Sequence, residues 1–585
     1  MSVLASLARA YDRLPDAPPY GFSTEKIGFC VLLGLDGSLR DIIDLRDSDK
    51  KRTPRSMGVP ASPKRSGSMP RPNFLWDNIN YALGAGKISN PDDRRFDAFR
   101  NKHLEYLETV KSDELVAFCR FLTVWNPDQL TPHFDIEKLP QEGVIFGLET
   151  TYRDRFIHQV NEAREIWASQ GDRWKAVAGK NAANAICLVT GQSSSIARTH
   201  PAIKGVWNAQ PAGAALVSFN SDAYESYGHK QGDNASISEA AAFAYTTVLN
   251  HFLPKDSGHS IQIGDASTVF WADGSAVAAE HLFFGAFGGG DTAGKDEKAT
   301  REIKTRLEMI QQGTALAQVV PDLDPSVRFH VLGLAPNAAR LSVRFHYEDD
   351  FGTLIANYQN HIANLSLDPP PRDGFPPLWR YLLELAVLGK RENVPPNLAG
   401  DWMRAILTGQ KYPLTLLTST LMRLRGDGDV NALRASILKS VLIRNLKLEV
   451  PVALDPTSQN KGYVLGRLFA VYEEVQRAAL GGKVNATIKD KFYGAASATP
   501  QKVFPVLDRG SANHFAKLRK QSPGRAVNLE KLLTAIMEVM EPEQEPIPVA
   551  LTSAEQAMFG IGYYHQRAEA FRKRETDNDT VEIIQ

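Results

Sequence analysis

The chain has 585 residues, with 67 Lys and Arg against 67 Asp and Glu, 43% hydrophobic and 23% charged residues. That length exceeds one ordinary core and sets an expectation of roughly two to four domains, with the composition of a soluble globular protein. No apolar run approaches the roughly 18–20 residues that span a bilayer. Met1-Ser2-Val3-Leu4-Ala5 lacks the basic start and long apolar core of a secretory signal, so a cytoplasmic protein without membrane contact is expected. Cys30, Cys119 and Cys187 stand far apart. They offer no zinc spacing and read as small buried hydrophobes.

Residues 1–350 read as mixed α and β. Ile27 to Leu33 is a strand pattern, Asp36-Gly37 a two-residue hairpin signal, and Leu39 to Leu45 the return strand. Residues 47–72 are rich in Lys, Arg, Pro, Ser and Gly and read as an exposed loop without regular pairing. Phe96, Phe99, His103, Leu104 and Leu107 fall at helical spacing. Further strands are expected at Ile186–Thr190, Leu216–Phe219, Thr268–Ala272 and Phe329–Leu334. From Arg340 to Tyr347 the chain alternates, which predicts Leu341, Val343 and Phe345 against a core and Arg340, Ser342, Arg344 and His346 outward. That outward face is either solvated or in contact with phosphates.

Beyond about residue 351 the strand signals stop. Tyr381–Leu388, Asp401–Leu407, Leu414–Leu424 and Ala432–Leu446 read as successive helices, and Pro451 and Pro456 mark a boundary. Leu465, Leu468, Phe469, Tyr472 and Val475 form one apolar helix face that stops at Gly481. Leu529, Leu532, Leu533, Ile536 and Met540 repeat the pattern, and a last helix carries Met558, Ile561, Tyr564, Ala568 and Phe571. The expectation is an α+β chain: a mixed α/β region over 1–350, a helical region over 351–454 and an all-α bundle over 455–585.

Neutrality hides local asymmetry. Arg46 to Arg71 holds eight Lys/Arg against two acids, and Lys461 to Lys531 thirteen against five. Two basic zones on a neutral chain fit a protein that touches nucleic acid at defined places.

Familiar catalytic patterns are missing from the sequence. There is no H-E-x-x-H, no G-x-S-x-G elbow and no EF-hand loop, and the thirteen histidines are scattered. Gly289-Gly290-Asp291-Thr292-Ala293-Gly294-Lys295 matches G-x-x-x-x-G-K, but Asp296 stands where a P-loop needs Ser or Thr for magnesium. A flexible glycine loop is the reading.

Several stretches carry a family resemblance. They are Arg71-Pro72-Asn73-Phe74-Leu75-Trp76-Asp77-Asn78; Ala215 to Asn220 with Tyr224-Glu225-Ser226-Tyr227-Gly228, Gln231-Gly232-Asp233-Asn234-Ala235 and Ala242 to Thr247; Gly333 to Phe345; Ala495 to Pro500; and Gly562-Tyr563-Tyr564-His565-Gln566-Arg567. In that order they resemble the large subunit of the type I-C (Dvulg subtype) CRISPR Cascade. The resemblance implies a non-catalytic clamp, without cofactor or metal, that reads the protospacer-adjacent motif in duplex DNA. Such a clamp also aids strand opening and recruits a separate helicase-nuclease. Sequence choice along the target falls to guide pairing. Implied partners are the crRNA-bound backbone and crRNA-processing subunits, a small subunit that the C-terminal bundle itself resembles, the target duplex and its displaced strand.

Asn and Gln read base edges while Lys and Arg hold phosphates. Candidate motif readers are therefore Asn73, Asn78, Asn220, Lys230, Gln231, Gly232 and Asn234. The resemblance suggests Gln231 as a wedge beside Gly232 and Lys230. Candidate phosphate contacts are Lys50, Lys51, Arg52, Arg55, Lys64, Arg65, Arg71, Arg340 and Arg344. The alternatives stay open at this point: Asn220 and Asn234 also suit Asx turns, Phe74, Trp76 and Tyr224 suit core anchors, and residues 50–71 suit a solvated linker. Two other function classes compete: a nucleic-acid enzyme with a metal site assembled from dispersed Asp, Glu and His, and a scaffold that touches only protein.

Overall fold

The computed structural model describes residues 2–14, 17–48, 52–63, 65, 69–130, 142–167, 184–274, 276–288, 297–481, 486–541 and 545–582. Lys50, Lys51, Lys64 and the glycine loop 289–296 lie outside them. The chain forms two compact units, Met1–Pro201 with Val217–Val248, and Ala202–Leu216 with Leu249–Gln585. The α+β class is as expected, with sheets confined to the N-terminal part and consecutive helices after residue 351. No helix among the described residues is long and apolar enough to cross a membrane.

The first unit is organised on β1 (Phe22–Leu33), whose apolar run suits a strand buried on both faces. β2 (Leu39–Asp44) and β3 (Arg55–Pro60) pair antiparallel with it, over Phe29–Leu33 and Phe22–Ile27 respectively. β4 (Trp76–Asn78) joins β5 (Gly143–Leu148), which runs parallel to β1. Phe29, Val31 and Leu33 face a core with Phe96, Phe99, Phe118 and Phe121 from the helices Arg95–Tyr106 and Asp113–Val124. Cys30 and Leu32 face the opposite cluster with Met57, Val59, Trp76 and Ile145.

Two expectations fail here. Residues 55–60 are a strand, because Pro54 and Pro60 bracket the paired stretch instead of interrupting it and an edge strand tolerates proline at its end. The β1–β2 connection is also longer than two residues. Asp36 Oδ1 accepts from Ser38 N (3.1 Å) and Ser38 Oγ (2.6 Å), which closes an Asx turn over Gly34–Ser38.

The second unit contains β8 (Ser260–Ile263), β9 (Ala266–Ala272), β10 (Arg328–Asn337) and β11 (Arg340–Asp350), antiparallel in the order β11-β10-β9-β8. Phe270, Phe329, Val331, Phe345 and Tyr347 face a large apolar core continuous with the helices through Tyr563. Leu216–Phe219, expected as a strand, contributes only the bridge Ala215↔Arg340 beside it and otherwise runs irregularly.

The alternation expected along β11 is broken at Arg344. Gly333 pairs with Phe345 but Leu334 pairs with Val343, so Arg344 is an extra residue, a bulge. A one-residue slip moves side chains to the other face. Leu341 and Val343 therefore lie opposite Phe345 and Tyr347, and Val343 is 48% exposed.

The helices Lys461–Leu480 and Ser553–Glu582 meet backbone to backbone. A Cβ on Gly462, Gly466 or Gly562 would lie 2.1, 2.0 or 2.2 Å from the carbonyl oxygen of Glu555, Phe559 or Tyr463. Small residues let helix axes approach where any side chain would hold them apart. Gly466→Ala must part the pair and is expected to cost about 1–3 kcal/mol, read as a lowered denaturant midpoint; an unchanged midpoint would refute the close crossing.

Burial pushes His103 and His361 down to about 3, and His158 and His565 down to about 4. They are neutral in the fold, whereas an unfolded imidazole titrates near about 6.5. Their stability is whole above that value and is lost as pH falls toward the folded values, by about 1.4 kcal/mol per pH unit for each histidine. Denaturant titrations between about pH 7 and 5 should show this decline, and a flat profile would contradict it.

Candidate nucleic-acid interface

In the first unit, the segment from Ser221 to Asn234 is a loop tied down at its stem. β6 (Asn184–Ile186) and β7 (Ser193–Ser195) form a short hairpin. Beside it Ala197 N donates to Ile237 O (2.9 Å) and Gly232 N to Arg198 O (3.1 Å). Gly232 is buried, and a Cβ there would lie 2.0 Å from the Ala197 carbonyl oxygen, so only glycine fits the stem. Asn234 closes the loop from within. Its Oδ1 accepts from Ser226 N (2.9 Å), and its Nδ2 donates to the carbonyls of His229 (3.1 Å) and Gln231 (3.0 Å).

This closure presents Tyr227, which is 100% exposed. Tyr227 and Gln231 hold positive φ of 54° and 49°, beside Gly228 at 77°. Non-glycine residues persist there only where the surroundings dictate it, at a cost of about 1–3 kcal/mol each. His229 and Lys230 are exposed on the same loop. Gln231 is half-buried, and its Oε1 accepts from Arg198 Nε. Asn220 stands exposed at the loop's entry. With Asp222, Glu225 and Asp233 also present, the loop's contact chemistry is aromatic and amide more than cationic.

The stretch Arg71–Asn78 is a second cluster, and most of it is interior. The Asp77 carboxylate accepts from Arg65 Nη2 (2.6 and 2.5 Å) and from the backbone N of Asn73 (2.8 Å) and Asn78 (2.7 Å). Burial raises its pKa to about 6 against the opposing pull of Arg65. Asn73 is 2% exposed, and its Oδ1 accepts from Arg65 (3.3 Å). The Asn78 side chain caps the next helix, accepting from Asn80 N and Tyr81 N. His103 Nε2 accepts from Leu75 N (2.8 Å), and its Nδ1–H donates to Phe99 O (2.7 Å). Arg65 also lies 4.2 Å over the Tyr81 ring.

The expected phosphate contacts are scattered. Arg52 is 69% exposed and 3.5 Å from Asp44. Arg55 is exposed on the edge strand β3. Arg71 is half-buried and close enough to Lys102 that, after burial, its charge helps to lower that ammonium's pKa. Arg344 pairs with Asp265 at 2.5 Å, and Arg340 sits half-buried at the β10–β11 turn. Sequence reasoning missed Tyr227, although a tyrosine between Ser226 and Gly228 in a polar loop is a readable signal. It also missed Arg198 and His103, which only the fold brings to their partners.

In the second unit, His330, His346 and Glu348 bring potential ligand atoms within 4.8 Å of one another, a group among the described residues that could hold a metal ion. The scattered histidines offer no hint of it in sequence, because the register of β10 on β11 creates the proximity.

Comparison with curated proteins gave no match. A family model described as CRISPR-associated protein Cas_Csd1 matches residues 7–571, nearly the full length and every motif on which the resemblance rested. The chain belongs to the Csd1 family of CRISPR-associated proteins.

Proposed function

We propose that this chain is the non-catalytic large subunit of an RNA-guided type I-C Cascade, which recognises the protospacer-adjacent motif in duplex DNA, aids strand opening and recruits a helicase-nuclease. The observation that carries the reading is the pinned loop that holds a fully exposed Tyr227 beside Gly228, His229 and Lys230. A preset aromatic tip costs little ordering on binding and can stack on, or wedge beside, an unstacking base. Gln231 and Asn220, at the stem and entry of the loop, are the amides placed to read base edges. Gly232 and Asn234 serve by shaping the backbone of this loop, and Asn73 and Asn78 by shaping that of Arg71–Asn78. Lys230, Arg52, Arg55, Arg71 and Arg340 are the cations proposed for phosphates, Arg52 from beside Asp44, while Arg65 and Arg344 are held closely by Asp77 and Asp265.

The C-terminal helices suit the displaced strand. Arg467, Arg477 and Arg525 are engaged with Gln566 and Glu474. On the helix Pro500–Gln521, Lys502, Arg509, Lys517 and Lys520 are exposed. The bundle, acting as a small-subunit-like domain, would guide a single strand by such charges. The remaining Cascade subunits and crRNA would dock elsewhere on the chain.

The group His330, His346 and Glu348 favours a second reading, a metal-dependent nucleic-acid enzyme. Incubating the purified chain with labelled duplex, with and without magnesium or manganese, separates the two, since metal-dependent cleavage supports only the enzyme.

Tyr227→Ala in the assembled complex is expected to weaken binding to a correctly flanked duplex by about 1–3 kcal/mol, measured by filter binding at fixed salt. Equal affinity for wild type and variant would remove the loop from the interface. Neutralising Lys502, Lys517 and Lys520 should leave motif discrimination intact and flatten the plot of log K against log salt by about 0.7 for each lost single-strand phosphate contact. An unchanged slope would exclude that path.

A further inference from the structure

The face of the β8–β11 sheet opposite the main apolar core carries potential metal ligands that the proposed DNA-reading role does not use. His330 on β10 stands across from Glu348 on β11 and from Trp271 on β9, and His346 stands across from Leu332, two residues along. Directly opposed residues share a face, and so do residues two apart. His330, His346 and Glu348 therefore point to one side by register, and their ligand atoms lie within 4.8 Å of one another. The His330 ring stacks on Trp271 (5.0 Å between centroids, 11° between planes) and lies nearly parallel to His346 (6.4 Å, 12°).

Two further observations bear on a ligand. His346 Nε2 is buried and makes no hydrogen bond. An unmatched buried polar atom costs about 1–3 kcal/mol, a cost that a bound ion would remove. Asp273, just after β9, lies with Oδ2 3.3 Å from His330 Nε2, and its own N–H donates to Arg328 O (2.7 Å). A carboxylate on the far nitrogen of an imidazole fixes its tautomer and orientation, the usual support of a metal-binding histidine. With Nε2–H donated to Asp273, the lone pair is on Nδ1.

We propose that His330, His346 and Glu348 form a three-ligand site for a divalent first-row transition ion of the zinc class, with Asp273 as a positioning residue. Two imidazoles and one carboxylate suit zinc, cobalt or nickel better than magnesium or calcium, which take oxygen sets. Bond lengths of about 2.0–2.2 Å require the three side chains to draw together by rotation, with the strands left in place. The half-buried His346 and Glu348 leave a fourth position for water or an oxygen anion, as in open three-ligand sites. Bound there, the ion would tie β10 to β11 through side chains in addition to their backbone ladder. The inference stands apart from the DNA-reading proposal.

The test uses the full chain, stripped with chelator and dialysed, then titrated with Co²⁺ as a spectroscopic probe and with Zn²⁺ against a chromophoric chelator. One equivalent is expected, with cobalt d–d bands and a raised melting temperature on zinc addition. His346→Ala and Glu348→Gln should weaken binding by about 10–100-fold or more, and Asp273→Asn by about 10–100-fold with stoichiometry kept. Both His346 and Glu348 are half-buried, so the metal-free variants should melt near the metal-free wild type. If His346→Ala does unfold, Glu348→Gln alone decides. Absence of stoichiometric binding, or binding unchanged in these variants, overturns the site.

Discussion

Two backbones that touch with no Cβ between them form the constraint on which both halves of the chain depend. In the second unit Gly462, Gly466 and Gly562 bring the helices Lys461–Leu480 and Ser553–Glu582 to carbonyl contact. That distance lets Tyr463 reach His565 (2.9 Å) and Arg467 reach Gln566 (3.1 Å), and it packs Phe469 at a tilt against Phe559 and Tyr563. The core that runs on from these rings to the β-sheet is a consequence of the approach. In the first unit the same constraint acts on one residue. Gly232 pressed on Ala197 fixes where the loop begins, and Asn234 fixes where it ends, so Tyr227 projects from a defined base. Its exposure therefore comes from a loop whose shape is set elsewhere.

The polar residues of Arg71–Asn78 follow a different rule. A carboxylate taken out of water must be surrounded by donors. Asp77 collects a guanidinium and two backbone N–H groups, while His103 satisfies Leu75 N, whose residue sits at φ 60°. Such a network specifies one backbone path through an otherwise apolar core. A stretch of this kind resembles a recognition motif in sequence because its residues are polar and unusual, yet its chemistry is spent inward. Asn73 illustrates this: its side-chain oxygen accepts from Arg65, and it is almost wholly buried.

Legibility followed the range of the interaction. Helix Ala432–Leu446 and the helical character of everything after 351 were readable because the 3.6-residue period is local. β1 and β10 were readable from their apolar runs. β3 was hidden, since Lys, Arg, Pro and Ser around 55–60 signal a loop and only pairing with Phe22–Ile27 makes a strand of it. The bulge at Arg344 was hidden for the same reason. A perfect alternation in one strand says nothing of an extra residue counted against its partner. At the candidate site, Lys230, Gln231 and Gly232 were legible as contact candidates, but the order of exposure within their loop was not. Gln231 suggested itself by chemistry, and the fold gave the tip to Tyr227, four residues earlier. The gathering of His330, His346 and Glu348 depends on register alone, so no spacing rule could find it.

Charge makes the same distinction between what is counted and what is placed. A total of 67 against 67 reads as electrically featureless. Several of the arginines, however, are engaged in ion pairs: Arg46 with Asp44, Arg65 with Asp77, Arg155 with Glu114, Arg344 with Asp265, Arg434 with Asp427, and Arg525 with Glu474. A planar guanidinium matches a carboxylate bidentately and is only weakly hydrated, so it suits half-buried pairing. The compact lysine ammonium is more strongly hydrated and favours the surface, with Lys439, buried against Asn364 O, as an exception. The acids that cancel the total are therefore partly inside, already answered by arginine. Lys502, Arg509, Lys517 and Lys520 of Pro500–Gln521 stand exposed, four cations beside the one exposed acid of that helix, Asp508. This arrangement gives a local field from a neutral chain, which is what the proposed contact with nucleic acid would need.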